Sequence, residues 1–121
     1  MFIKHKNNLK GYITTISISK ETLNKILEIN EIKENYENII LESNQYGKSI
    51  LIDSIVLKEK YQNKKAIQLI TKSILKLTKK KKRNNVVIVA STTFEKDIAQ
   101  KLNFFKLKEL NDNSIIYSYK G

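Results

Sequence analysis

The alternation of apolar and polar residues divides this chain into segments with strand periodicity and segments with helix periodicity. Residues 11–19 are rich in β-branched side chains and follow the turn residues Asn7 and Asn8, so residues 2–19 are predicted to form a strand hairpin. Residues 49–57 are largely apolar on both faces, which is typical of a central strand covered on both sides. Three further strands are predicted, at residues 86–90, 104–110 and 114–119.

Apolar residues at spacings of three and four mark the helices. The strongest signal covers residues 64–80, where an apolar stripe lies opposite a row of lysines. Shorter helices are predicted at residues 21–29 and 94–102, with Asn103 in the left-handed conformation after the second. Residues 31–43 fit either another helix or a linker. Because strands alternate with crossover helices, the predicted fold class is α/β, with a mixed, partly parallel sheet and helices on both faces.

Composition narrows the chemistry that this chain can perform. It has no cysteine and one histidine, His5, which excludes disulfides, thiolate metal sites and histidine zinc sites, and no metal site is predicted. The length of 121 residues fits a single domain over residues 1–121. The longest apolar runs have five residues, whereas a bilayer span needs about 20. No signal-peptide pattern is visible, so we expect a cytoplasmic protein without a membrane span.

The net charge of +11 is concentrated in residues 54–108, which hold fifteen Lys or Arg against three acids. An anionic partner would explain this charge. However, Ile, Lys and Asn make up 54 of the 121 residues, and a genome rich in A and T would place lysine on any tolerant surface. The basic run at residues 79–83 falls where a helix ends, and cations there complement the helix dipole. Nucleic-acid binding is therefore only a secondary alternative.

Two short motifs carry a family resemblance. In residues 55–64, IVLKEKYQNK, Gln62 stands five residues after the aliphatic Leu57, and residues 102–104, LNF, end the last helix. In this order they resemble the central strand, the pyrophosphate loop and the leucine-glycine-phenylalanine helix end of the GNAT superfamily of acetyl-coenzyme A dependent N-acyltransferases. The resemblance covers most of the chain and implies a GNAT-like fold.

The resemblance also implies a cofactor and a reaction. Acetyl-CoA would be the acyl donor, and its acetyl group would pass to an amine acceptor that the sequence does not identify. A loop at a helix N-terminus directs unpaired main-chain N–H groups at one point, so residues 62–67 would bind the diphosphate. The pantetheine arm would pair with the backbone where two parallel strands part. The residues implied in cofactor binding are Ile55, Val56, Leu57, Gln62, Asn63, Lys64, Lys65, Ala66, Ile67 and Thr92.

The candidate catalytic residues are Asp53 and Tyr117. Asp53 could act as general base for an ammonium if it faces the cleft. Tyr117 could replace the family's tyrosine acid, because Ala99 stands at that tyrosine's position, and residues 65–67 also lack the family's loop glycines. The structural alternatives are a carboxylate satisfied at the sheet margin and cross-strand packing, respectively.

Three functions therefore stay open on the sequence. The first is amine acetylation. The second is a catalytically inactive GNAT-like module that binds the cofactor or a protein partner. The third is a small basic nucleic-acid-binding domain. A homodimer is a further expectation.

Overall fold

A computed structural model of the chain describes residues 2–5, 8–32, 36–41, 47–58, 60, 64–79 and 85–119. These residues form six strands and four helices. Their bounds are β1 Phe2–His5, β2 Asn8–Ile18, α1 Lys20–Glu28, α2 Tyr36–Leu41, β3 Ser49–Leu57, α3 Lys64–Lys79, β4 Val86–Ala90, α4 Thr93–Lys101, β5 Phe105–Glu109 and β6 Ile115–Tyr119. Every predicted strand and helix is present. The segment 31–43, which the sequence left open between helix and linker, contains the short helix α2.

All six strands belong to one sheet, in the order β1-β2-β3-β4-β6-β5. β3 and β4 at its centre are parallel, whereas all the other neighbouring strands are antiparallel. α3 connects the parallel pair, because parallel strands need a long crossover connection. This topology confirms the predicted mixed, partly parallel sheet.

The core is divided between the two faces of this sheet. On one face, Ile52 and Ile88 pack in a cluster with residues of α3 and α4. On the other, Leu51 and Val87 pack in a cluster with residues of α1 and α2. Successive side chains of a strand point to opposite faces, so strands covered on both sides are apolar throughout. We call these surfaces the α3/α4 face and the α1/α2 face; helices cover both, as predicted.

Short polar residues determine where two of the helices begin. The Ser19 hydroxyl oxygen accepts a main-chain N–H of the first turn of α1 at 3.2 Å. Thr92 caps α4 in a reciprocal capping box, because its Oγ1 accepts from Glu95 N at 3.1 Å while Glu95 Oε1 accepts from Thr92 N at 3.2 Å. α4 therefore begins at Thr93, one residue before the predicted start. Asn103 follows α4 with φ 59°, in the left-handed region as predicted.

β2 and β3 approach each other closely at one glycine. β2 begins at Asn8, three residues before the predicted strand, because Asn8 already pairs with His5 of β1. Gly11 lies opposite Leu57 of β3. The carbonyl oxygen of Val56 occupies the space that a Cβ at position 11 would fill. Glycine is therefore what this close approach requires.

Candidate functional site

β3 and β4 are hydrogen-bonded along only part of their length. Within these two strands, which the structure describes from end to end, main-chain pairing joins residues 50–52 to residues 86–88. Both strands continue beyond these pairs, so they part. We call the space between residues 53–57 of β3 and residues 89–90 of β4 the β3/β4 gap. Main-chain groups that face such a gap need partners other than a neighbouring strand.

The side chain of Glu95, from the first turn of α4, supplies one such partner. Its Oε2 accepts from Ile55 N at 3.0 Å. Its Oε1 accepts from Ser91 N at 3.0 Å, from Thr92 N at 3.2 Å and from Thr92 Oγ1 at 3.2 Å. We call these hydrogen bonds the Glu95 bridge, because they connect β3 to the segment that follows β4. Glu95 is only 5% exposed, so the carboxylate lies inside the fold.

Sequence reasoning missed Glu95 as a site residue. The available signal was the Thr92-x-x-Glu95 spacing, which is that of a capping box. That spacing predicts the contact with the helix start, but it does not predict the contact with Ile55, because Ile55 lies 40 positions earlier.

Asp53 lies in a β-bulge at the start of the gap. The pairing of β2 with β3 passes from Ser54 directly to Ile52, so Asp53 is an extra residue on β3. Its Oδ1 accepts from the Tyr36 hydroxyl of α2 at 2.6 Å. Because Tyr36 belongs to the core cluster of the α1/α2 face, this hydrogen bond directs the Asp53 carboxylate to that face.

The Tyr36–Asp53 pair has a defined donor and acceptor. Burial is the main cause that raises the pKa of the Tyr36 hydroxyl far above its usual value, and the hydrogen bond to Asp53, the charge of Asp53 and the charge of Glu95 raise this pKa further. Tyr36 therefore stays protonated at neutral pH and donates to Asp53. Tyr36 was not a candidate site residue on the sequence, since its segment was compatible with a linker.

A cavity of about 670 Å³ lies beside this pair. Its described lining is mostly apolar, and the charged residues in that lining, Glu37 and Asp53, are both acidic. In a protein whose net charge is +11, such a lining favours a cationic group with an apolar body. The described lining consists of Ile32, Tyr36, Glu37, Asn38, Ile40, Leu41 and Asp53.

The residues implied for the pantetheine arm lie on β3 beside the gap. Ile55 and Leu57 are buried on the α3/α4 face. Val56, between them, is 39% exposed. Thr92 lies just after β4, where its hydroxyl belongs to the capping box.

The residues implied for the diphosphate lie at or before the start of α3. The first turn of α3 contains Lys64, Lys65, Ala66 and Ile67. Both lysines are exposed, and Ile67 packs against the core of the α3/α4 face. Gln62 and Asn63 lie outside the described residues, as do residues 80–83 of the basic run.

The structure does not bring Tyr117 to the cavity that Asp53 lines. Tyr117 is buried on the α3/α4 face, opposite Ile88 of β4, whereas the cavity is on the α1/α2 face. Ala99 is fully buried in the same cluster as Tyr117. Packing thus accounts for the position of Tyr117, and its role as an acid stays a prediction.

Among the residues that the structure describes, no group of three His, Asp or Glu side chains could hold a metal ion. Within the described helices, none is long and apolar enough to cross a membrane.

Three solved structures resemble this fold over nearly the whole chain. The loading GNATL domain of CurA from Lyngbya majuscula matches with a TM-score of 0.74 at 12% identity, over 98% of this chain and 74% of that one. Arabidopsis thaliana NAA60, in complex with a bisubstrate analogue, matches with a TM-score of 0.61 at 14% identity, over 96% and 67%. An N-acetyltransferase from Staphylococcus aureus Mu50 matches with a TM-score of 0.57 at 13% identity, over 97% and 66%.

No protein-family model and no curated protein matches the chain. The structural agreement nevertheless covers nearly the whole chain, including the residues of the mixed sheet and of its helices. The protein therefore has the GNAT fold, in a form whose sequence has diverged strongly.

Proposed function

We propose that the protein transfers an acetyl group from acetyl-CoA to an amine. The observation that carries this proposal is the β3/β4 gap, which lies beside a cavity lined by Asp53 in a chain with the GNAT fold. Along the chain, six residues separate α3 from the end of β3 that borders the gap. Arabidopsis thaliana NAA60, which has a similar fold, was solved in complex with acetyl-CoA.

The residues around the gap fit a coenzyme A thioester. The N–H of Ile55 faces the gap, and an extended arm that carries amide groups can pair with such a strand edge. The first turn of α3 directs main-chain N–H groups toward its N-terminal end, and Lys64 and Lys65 are exposed there, which suits a diphosphate. When bound, acetyl-CoA would supply the acetyl group in activated form as a thioester.

Asp53 is the proposed general base. An amine that enters the cavity as an ammonium must lose a proton before its nitrogen can attack a carbonyl carbon. Asp53 can accept that proton on its second oxygen, while the Tyr36 hydroxyl donates a hydrogen bond to Oδ1 of the same carboxylate. Tyr36 is thus a positioning residue, and the apolar lining of the cavity would hold the body of the acceptor. Tyr117 remains only a predicted acid for the leaving thiolate.

A catalytically inactive module with the same fold is the second candidate. The observation that favours it is the Glu95 bridge, because the N–H of Ile55 is engaged by a carboxylate of the protein itself. The buried Ala99 at the position of the family's tyrosine favours it as well. Such a module would bind the cofactor or a protein partner without turnover.

Two measurements on the purified protein separate these functions. A thermal-shift titration with acetyl-CoA tests cofactor binding, since a ligand at about 100 times its dissociation constant adds about 2.7 kcal/mol of stability. Release of free thiol from acetyl-CoA in the presence of a panel of amines then tests turnover. Binding with amine-dependent thiol release supports the enzyme, and binding without release supports the inactive module. No shift at millimolar acetyl-CoA would exclude the enzyme and the cofactor-binding module, and would favour a module that binds a protein partner.

The role of Asp53 is tested with a matched pair of variants. Asp53→Asn should lower the rate of thiol release by about 100-fold or more, because a positioned base contributes about 10²- to 10⁴-fold. Asp97→Asn removes the same charge from the exposed surface of α4 and should leave the rate unchanged. Equal rates in both variants would remove Asp53 from the mechanism.

Light scattering of the purified wild-type protein tests the expected homodimer.

A further inference from the structure

Glu95 is a buried carboxylate that the proposed reaction does not use. Four hydrogen bonds stabilise it, three of them from main-chain N–H groups, at 3.0 to 3.2 Å. In the part of the chain that the structure describes, Glu95 forms no ion pair. A buried charge is costly unless donors satisfy it, so the N–H groups of Ile55, Ser91 and Thr92 replace water around this carboxylate.

The position of these donors gives the carboxylate a second role. Ser91 and Thr92 belong to the segment between β4 and α4, whereas Ile55 belongs to β3 on the other side of the gap. Oε1 accepts from the N–H groups of Ser91 and Thr92, and Oε2 accepts from that of Ile55, so one side chain spans the place where the strands part. A capping box needs only the contacts at the helix start. The contact with Ile55 is therefore additional to the capping function.

We propose that the Glu95 bridge closes the β3/β4 gap and that a ligand arm which enters the gap must replace Glu95 as the hydrogen-bond acceptor of the Ile55 N–H. The proposal rests on the proposed function in so far as the ligand is acetyl-CoA. Because a hydrogen bond to a carboxylate is stronger than one to a neutral amide oxygen, this exchange opposes binding. Glu95 thus acts as a positioning residue that sets the affinity for the acyl donor. It couples ligand entry to the start of α4.

The first test examines the bridge itself and needs no ligand. Amide hydrogen exchange is measured for Ile55 in the wild type and in Glu95→Asp and Glu95→Gln. Glu95→Asp keeps the charge but shortens the side chain by one methylene, so it should not reach both sides of the gap. Glu95→Gln keeps the length but offers a single acceptor oxygen. In both variants the Ile55 amide should exchange at least tenfold faster than in the wild type.

The neighbouring amide of Val56 is the internal control for this exchange experiment. Val56 pairs with Tyr12 of β2, and its main-chain groups point away from the gap because they alternate along a strand. Its exchange should change little, and melting temperatures confirm that each variant is folded. If Ile55 exchange is unchanged, or rises only in proportion to that of Val56, the proposal is wrong.

The second test measures the affinity of the full chain for acetyl-CoA by calorimetry. We expect the dissociation constant to fall about tenfold in Glu95→Asp and Glu95→Gln, which corresponds to about 1.4 kcal/mol. Asp97→Asn, on the exposed side of the same helix, controls for the loss of a negative charge near an anionic ligand and should bind within twofold of the wild type. An unchanged or weaker affinity in both Glu95 variants would overturn the proposal.

The two tests distinguish failure of this inference from failure of the proposed function. If neither the wild type nor any variant binds acetyl-CoA, the proposed function is wrong and the part of the inference that concerns the ligand is wrong with it. The exchange rate of the Ile55 amide still decides whether Glu95 closes the gap. If the variants bind more tightly but no amine is acetylated, the bridge controls a binding module.

Discussion

Replacing Tyr36 with phenylalanine removes the hydroxyl that donates to Asp53 Oδ1 at 2.6 Å and leaves the buried ring in place. Hydrogen bonds to charged groups contribute about 1.5–3 kcal/mol to stability. Because Asp53 is only half-buried, water can replace part of the lost interaction, and we expect the lower end of this range, about 1.5 kcal/mol. For a domain of this size that loss lowers the melting temperature by about 5 °C.

Urea denaturation measures this loss, and a double-mutant cycle assigns it to the pair. The midpoint should fall in Tyr36→Phe with an unchanged slope. Tyr12→Phe is the matched control, because Tyr12 is 38% exposed, and it should change stability by less than about 0.5 kcal/mol. In the cycle of Tyr36→Phe with Asp53→Ala, the two losses should fall short of additivity by about 1 kcal/mol.

Two outcomes would refute the reasoning about this pair. If the losses of Tyr36→Phe and Asp53→Ala add within about 0.3 kcal/mol, the two side chains are not coupled in solution. If Tyr36→Phe melts no lower than Tyr12→Phe, the hydroxyl does not stabilise the fold. In either case Tyr36 would not position Asp53, and the proposed base would lose its support.

Three further predictions concern alkaline pH, the contact between β2 and β3 at Gly11 and the end of α1. The folded state raises the pKa of Tyr36 above its unfolded value near 10, so the stabilisation by its neutral hydroxyl is complete below about pH 10 and is lost as the pH rises further. Above that pH, urea denaturation should show that the free energy of unfolding of the wild type falls faster than that of Tyr36→Phe, by up to about 1.4 kcal/mol per pH unit. Gly11→Ala drives a methyl group into the Val56 carbonyl and should lower the free energy of unfolding by about 1–3 kcal/mol in urea denaturation. An unchanged urea midpoint would mean that β3 moves freely at this contact. Lys108 donates to two carbonyls at the end of α1, at 2.6 and 3.0 Å, so Lys108→Met should lower the melting temperature. Lys106→Met removes the same charge from an exposed ion pair and should not lower it. Equal melting temperatures of the two variants would contradict a capping role of Lys108.

The order and type of the secondary structure elements could be predicted from the sequence. Residues 64–80 repeat apolar side chains with the period of a helix, and residues 86–90 are apolar without interruption, so each pattern reports which sides of its element are buried. The last helix begins close to the predicted residue because Thr92 is a local cap. Periodicity and capping depend on neighbours in the chain, and that is why these predictions succeeded.

The candidate site could be predicted only in part. Asp53 was a candidate base on the sequence, but whether it faces a cavity depends on the bulge in β3. No sequence pattern predicted that bulge. Its partner Tyr36 lies 17 positions away in a segment that also fitted a linker. Tyr117 was a candidate acid because Ala99 stands at the position of the family's tyrosine, yet its position along β6 turns it to the opposite face from the cavity.

The sequence by itself determined the order of the strands and helices, their approximate bounds, and the alternation of elements that a mixed sheet requires. Only the tertiary structure decided where β3 and β4 stop pairing, and which polar groups meet at that point. The physical reason is the range of the interactions. Periodicity and capping act within a few residues, whereas the contact between Glu95 and Ile55 joins residues 40 positions apart and exists only once the register of the sheet and the docking of α4 are established.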